Sequence, residues 1–528
     1  MNGPACSWEA VLANPAEAID IAEILASLPR RIHDVIDQYA EATPDHPALV
    51  EDAVTWSYRE LHYAIRQIAA ALQSLGIRPG DRVMIVSENC IALAALLLAA
   101  SLIDAWAIVV NPRLSPRELD QIRGHSGARR VLFTAGVSKE AAGHATRYEA
   151  TIGRIGPLNV DIGALNEATT AEPVEESRAR QVAVLIYTSG TTGTPKGVML
   201  THENLLVSAK TTAWFRRMDA ADKVYVVLPI SHIVGISLLI MTLMSGGTVR
   251  LVSKYDPAAL AKAMAEEGIT ILNGVPATYQ RLLEYKTVAD IPRLQRGSLR
   301  LIAVAGAPLD LDLKSRVEQE LGLSLLNGYG ITECSPGISG VRFDNPRDDQ
   351  AVGTLLPGIE SRIVGADGTP VQSGQVGELH VRGPNVMRGY YRAPDLTAKA
   401  IDAEGWFNTG DLASRDGDCL YIVGRTKEMI IRFGFNVYPA EIEAVLNSHD
   451  SVVQSAVVGR AVEGNEEVVA FVQLIQGATT SAEELKAHAS SQLTSYKRPS
   501  EIVVLDALPA TSTGKILKHK LAESLRGA

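Results

Sequence analysis

Only four cysteines occur in 528 residues. Cys6, Cys90, Cys334 and Cys419 show no paired spacing. That excludes a disulfide frame and a cysteine-rich zinc site, and it fits a reducing compartment. Aromatic residues are scarce, at 5%. Positive charge is also short: 50 Lys and Arg against 60 Asp and Glu leave a net −10. General nucleic-acid binding needs a basic face that this balance does not provide. The first twenty residues, MNGPACSWEAVLANPAEAID, have no basic patch ahead of an apolar run, so no signal peptide is expected. Long apolar runs are lacking, with one stretch to check. Residues 91–110, IALAALLLAASLIDAWAIVV, approach a membrane span in length. Asp104 interrupts them, and the Ala/Leu part gives way to Trp-Ala-Ile-Val-Val. A buried helix turning into a buried strand is the expectation, in a cytoplasmic protein without a membrane span. Two nucleotide-binding signatures are missing as well: G-x-x-x-x-G-K-[ST], and G-x-G-x-x-G after an early strand.

What is present is layered. Up to about residue 420, short apolar runs alternate with amphipathic stretches, which predicts α/β structure. Strands are expected at 82–86, 130–134, 183–187, 247–252 and 299–306. A helix is expected over YRELHYAIRQIAAALQSLGI, stopping at Gly76. From about 353 to 426 the texture shifts to short strands and tight turns, a β-rich subdomain. Smaller β-α units follow, including a helix over 481–493. A chain this long is expected to divide, here into a large N-terminal domain, 1–426, and a small α+β C-terminal domain, 427–528.

Residues 185–200, LIYTSGTTGTPKGVML, set hydroxyls, glycines and one lysine between two apolar runs. A strand, this loop and a helix from LTHENLLVSAK would aim backbone amides at an anion, with Lys196 as a point charge. No Ser or Thr follows Lys196, so this is not a Walker-type loop. Further along, LLNGYGITECSPG flanks Tyr329 with glycines, where a flat ligand can approach the backbone. Thr332 adds a hydroxyl there and Glu333 a hard carboxylate suited to magnesium. In GWFNTGDLA, Asp411 can accept two hydrogen bonds from a vicinal diol. In LPATSTGKILK, a Thr-Gly turn presents Lys515 as a cation.

YTSGTTGTPKGV resembles the phosphate-loop signature of the adenylate-forming superfamily, which includes acyl-CoA synthetases, luciferases and peptide-synthetase adenylation domains. AGAPL, YGITE, NTGDLA, YIVGRTKEMI and TGK follow in that family's order and cover most of the chain. The resemblance implies ATP or AMP contacts at Thr188, Ser189, Gly190, Thr191, Thr192, Gly193, Thr194 and Lys196 of the loop, and at Gly306, Ala307 and Pro308 of the adenine turn. It extends them to Gly328, Tyr329, Gly330, Thr332, Asp411, Ile422, Arg425 and Lys515. Tyr329 would stack on adenine, Thr332 bond the α-phosphate, and Asp411 and Arg425 hold the ribose. Magnesium would sit on Glu333 with Thr188, and Lys515 would be the catalytic lysine. Lys427 falls at the hinge of a mobile lid. RFGFNVYPAEIE resembles the face that forms the pantetheine tunnel, with Gly434 and Phe435 toward CoA. Ile431 departs from members that carry a lysine at its position.

His232 resembles the family's pocket-gating residue, with Ile233, Gly235 and Gly330 in the acyl pocket. IVGISLLIMTLM follows His232, and no Arg or Lys appears until Arg250. A hydrophobic monocarboxylic acid (fatty, alicyclic or aromatic) is therefore expected over a dicarboxylate. The resemblance implies ATP- and magnesium-dependent formation of an acyl-adenylate, then transfer to coenzyme A. The alternatives are an acyl-AMP ligase loading a carrier protein, an oxidase using the same adenylate, and a non-catalytic nucleotide sensor. The exposed, essential position of Lys515 also marks it as a target for an acyltransferase.

Overall fold

The computed structural model describes residues 20–188, 195–433, 435–462, 465–475, 477–510 and 516–525. Two large sheets face each other across a shared core. The first has eight strands, in the order Gly389–Tyr390, Lys196–Thr201, Val182–Thr188, Trp106–Val110, Arg82–Val86, Arg130–Phe133, Leu158–Ile162, Thr151–Ile155. The second has nine: Thr354–Leu355, Gly337–Gly340, Leu325–Gly330, Leu301–Val304, Ile271–Gly274, Lys223–Val226, Thr248–Leu251, Pro47–Glu51, Val54–Ser57. Their central pairings are parallel. Strands buried on both faces read as continuous apolar runs, as RVMIV and WAIVV do.

Helices Ile91–Leu102 and Ile233–Met244 are apolar nearly all round because they lie between the sheets. Residues 91–110 form the expected helix and strand. No helix among the described residues is long and apolar enough to cross a membrane. Helix Tyr58–Ser74 opens on a Ser57/Glu60 capping box, and Gly76, at φ +83°, follows its end.

One expectation needs correcting. The expected helix over LTHENLLVSAK forms, as His202–Phe215, but it does not follow the hydroxyl-rich loop directly. Lys196–Thr201 is a strand, antiparallel to Val182–Thr188, so the loop joins two strands of a hairpin. Helix His202–Phe215 starts at the far end of that second strand, capped by Thr201. Its N-terminus therefore does not face the loop. GVMLT is as apolar as a helix face, but pairing it with Val182–Thr188 satisfies its backbone within the sheet.

Four antiparallel strands, Glu360–Val364, Gly377–Arg382, Phe407–Asp416 and Cys419–Arg425, make the β-rich part. The C-terminal part has its own sheet, Val452–Val462, Asn465–Leu474 and Glu501–Leu505. Helices Pro439–Asn447 and Ala482–Gln492 pack there around a separate apolar core. The fold is thus mixed α/β, with a large N-terminal and a small C-terminal domain.

Candidate active site

Four neighbouring strands of the nine-stranded sheet end on segments the sequence marks. Leu325–Gly330 carries Tyr329 at its end, and Leu301–Val304 runs into Gly306–Pro308. Ile271–Gly274 runs into Val275, and Lys223–Val226 leads toward His232. Carboxyl ends of parallel strands, with their exposed loops, are the usual place for a ligand crevice in α/β sheets.

The tightest constellation lies where this sheet meets the β-rich part. The Tyr329 hydroxyl donates to Asp411 Oδ2 at 2.5 Å, and Arg425 Nε lies 3.2 Å from Asp411 Oδ1. Asp411 and Arg425 are register partners on adjacent antiparallel strands, which fixes the ion pair. Asp411 is 4% exposed, whereas the Arg425 side chain is 46% exposed. Burial, then the Asp411 charge, push the Tyr329 phenol well above its ordinary pKa, so it stays a donor. Thr409 Oγ1 accepts the Asp411 N–H (3.1 Å) and donates to the Leu379 carbonyl (2.7 Å), anchoring the turn. Ile422 lies half-buried on the Arg425 strand, opposite Ala413.

A second group gathers around Glu333, in the short turn Thr332–Cys334. The Tyr390 hydroxyl donates to Glu333 Oε1 (3.0 Å), and Lys196 Nζ stands 5.3 Å from the Tyr390 ring centroid. Thr188 is the register partner of Lys196. The fold therefore brings Thr188, Lys196 and Glu333 toward one place through a tyrosine that the sequence reading did not single out. Its signal was GYY, which an edge strand of two residues conceals. Cys334, beside Glu333, is fully buried, and its thiol is held well above its ordinary pKa by burial and then by Glu333, so it is no nucleophile.

Gly330 is required by packing. A Cβ there would stand 2.1 Å from the Pro336 carbonyl oxygen. Gly330→Ala is expected to cost about 1–3 kcal/mol of stability. It should appear as a lower urea midpoint at unchanged slope. Gly328 has looser surroundings, its would-be Cβ 3.5 Å from the Ser339 oxygen. Gly306 adopts φ +85°, and Gly306 and Pro308 are exposed with Ala307 between them, an open turn.

His232 caps helix Ile233–Met244, and burial pushes its imidazole pKa down, toward the neutral form. Gly235, in the first turn, leaves room for the Pro229 carbonyl, 2.3 Å from where a Cβ would sit. Asn89 holds this segment. Its Nδ2 donates to the Val226 and Leu228 carbonyls (3.1 and 3.0 Å), and its Oδ1 accepts the Ile230 N–H (2.8 Å). That role crosses from one sheet to the other and carries no local sequence signal.

Lys427 lies exposed in the turn Thr426–Glu428. Phe435 is 53% exposed and stacks on Tyr496, centroids 4.6 Å apart. Ser189, Gly190, Thr191, Thr192, Gly193, Thr194, Gly434 and Lys515 lie outside the described residues.

The sequence matches the model of the AMP-binding enzyme family over residues 36–391, and that of the AMP-binding enzyme C-terminal domain over 441–515. It is 35% identical to a feruloyl-CoA synthase of Amycolatopsis sp over 491 residues, covering 91% of this chain and 96% of that protein. It is 32% identical to a long-chain-fatty-acid–CoA ligase of Escherichia coli O157:H7 over 541 residues, covering 94% and 96%. Among solved structures it resembles ATP-bound MatB from Rhodopseudomonas palustris, with TM-score 0.82 and 30% identity over 94% of this chain and 99% of that one. It also resembles the o-succinylbenzoate CoA synthetase of Bacillus subtilis in complex with its acyl-adenylate intermediate, with TM-score 0.79 and 28% identity over 92% and 97%. The chain belongs to the AMP-binding enzyme family, and both the large AMP-binding part and the family's C-terminal domain are present in it.

Proposed function

We propose that this protein is an AMP-forming acid–thiol ligase. It joins a hydrophobic monocarboxylic acid to the α-phosphate of ATP, releases pyrophosphate, and passes the acyl group from the adenylate to coenzyme A. The observation that carries the reading is the buried Asp411 carboxylate, held between Tyr329 and Arg425 at the mouth of the strand ends. A carboxylate accepts through both oxygens, with two acceptor sites on each, which is the chemistry that a ribose diol needs.

A carboxylate is a poor acylating agent until its oxygen becomes a good leaving group, and AMP supplies one. The obstacle is that an anion must approach a polyanion. Lys196 and Arg425 would set positive charge around the phosphates, and Lys515 would add the cation nearest the reacting oxygens. Among the described residues no group of three or more His, Cys, Asp or Glu could hold a metal. Magnesium binds through one or two carboxylates plus substrate phosphates, and Glu333 would supply the carboxylate. Bound there, magnesium would offset charge on the phosphate oxygens. No proton need be abstracted, which agrees with a neutral His232 and an inert Cys334.

For the second step we assign the hinge to Lys427, the boundary to residues 426–427, and the CoA-facing surface to Gly434 and Phe435. Exposed Phe435, fixed by Tyr496, supports that surface. We place the protein in the cytoplasm, where Lys515 would be the target of a regulatory acyltransferase.

The reading is tested by pyrophosphate release over a panel of straight-chain, alicyclic and aromatic acids, with and without CoA. Release with hydrophobic monoacids, and a CoA thioester only when CoA is present, is expected. Acyl transfer to a carrier protein but never to CoA would overturn it in favour of the acyl-AMP ligase.

A further inference from the structure

Asn273 sits where an apolar residue would be the stable choice. Strand Ile271–Gly274 is buried throughout. A Cβ on Gly274 would meet Tyr279 Cε2 at 3.0 Å, and Tyr279 belongs to the core on the outer face of the sheet. Successive residues of a strand face opposite ways, so Asn273 faces inward with Ile271, into the core between the two large sheets. Its register partner there is Ala303, a small side chain. Asn273 is 4% exposed, and its Nδ2 has no hydrogen-bond partner. Ser231 Oγ, next to His232, is likewise buried without a partner.

A buried donor left unmade costs about 1–3 kcal/mol, so an orphaned amide in an apolar wall points to a ligand that completes it. The place fits. Asn273 is the last residue but one of the strand between those leading to His232 and to Gly306, in the row of strand ends that continues to Gly330. Helix Ile233–Met244, which His232 caps, is otherwise an apolar wall.

We infer that Asn273 determines acid specificity by hydrogen-bonding an uncharged oxygen, a hydroxyl or a carbonyl, on the acyl group away from its carboxylate. The inference rests on the proposed acid activation and sharpens its substrate class: a hydrophobic monocarboxylic acid with one oxygen function in its tail. An amide turned by 180° offers either its N–H or its carbonyl, so a hydroxyl is met as donor or acceptor. A second carboxylate is not accommodated, because a neutral amide in this apolar surround does not offset a buried charge.

The test is pyrophosphate release with paired acids that differ by one hydroxyl: octanoate and its terminal hydroxy derivative, cyclohexanecarboxylate and its para-hydroxy derivative, phenylpropanoate and its para-hydroxyphenyl counterpart. The wild type should favour the hydroxy member of at least one pair by about tenfold in kcat/KM, the scale of one uncharged hydrogen bond. Asn273→Leu, which is isosteric, should abolish or reverse that preference with the KM for ATP unchanged. Its Tm should rise, because the variant no longer buries an unsatisfied amide. An unchanged preference in Asn273→Leu overturns the assignment while acid activation stands. A lower Tm with equal losses on every acid also overturns it, as a structural role. No release from the wild type with any acid overturns the proposed function itself.

Discussion

Lys515→Ala is expected to abolish adenylate formation while sparing thioester formation from a supplied acyl-adenylate. Removing one preorganised group that stabilises developing charge typically costs about 10²–10³-fold in rate, and Lys515 would carry a full charge beside the α-phosphate. The thioester step breaks the acyl–phosphate bond by thiol attack and needs no carboxylate to approach a polyanion. The two steps should therefore separate. The described residues on either side of the segment that holds Lys515 are anchored. The Leu517 N–H donates to the Pro509 carbonyl at 2.7 Å, and Ala510 pairs with Ile516. Three residues beyond Lys515, Lys518 Nζ lies 2.8 Å from Glu443 and 3.1 Å from Glu428. Burial alone would lower the Lys518 pKa, but the charges of Glu443 and Glu428 outweigh it and hold the ammonium above its ordinary value. Glu428 adjoins Lys427, so this ion-paired cluster ties the segment after Lys515 to the proposed hinge. Pyrophosphate exchange and thioester formation from synthetic adenylate, measured on one preparation, check the prediction. Loss of both steps would contradict a lid that takes Lys515 away between them.

Legibility in the sequence followed burial. Arg82–Val86 and Trp106–Val110 were readable because both faces are covered, leaving continuous apolar runs. Gly76 was readable because a positive φ after a helix favours glycine. The strand between the hydroxyl-rich loop and the helix after it was missed, since six residues are too short to separate a period of two from helical spacing. Contacts between distant segments were hidden by their nature. Tyr329 and Asp411 are 82 positions apart, and only the pairing of two sheets joins them. Tyr390 under Lys196, and Asn89 holding the segment before His232, were missed for the same reason. Residue types told of nucleotide chemistry. Their partners came from topology.

Asp411→Asn is expected to raise the KM for ATP by about 10–100-fold with little change in folding stability. A hydrogen bond to a charged group contributes about 1.5–3 kcal/mol, and each 1.4 kcal/mol is tenfold. Asparagine keeps an acceptor for the Tyr329 hydroxyl, which alanine would strand in a buried place. What it loses is the charge that pairs with Arg425 and the second acceptor oxygen a diol needs. The ribose role is separable from general damage by a cycle with 2′-deoxy-ATP. The wild type should discriminate against the deoxy nucleotide, because one of two hydroxyls then has no partner on Asp411. The Asn variant, already unable to accept both, should discriminate far less. Equal discrimination in the two enzymes would place the ribose elsewhere. It would leave Asp411 as the buried clamp that joins the β-rich part to the sheet through Tyr329, a role its 4% exposure would also satisfy. The deoxy nucleotide decides between the two, since a clamp is indifferent to a missing hydroxyl and a ribose ligand is not.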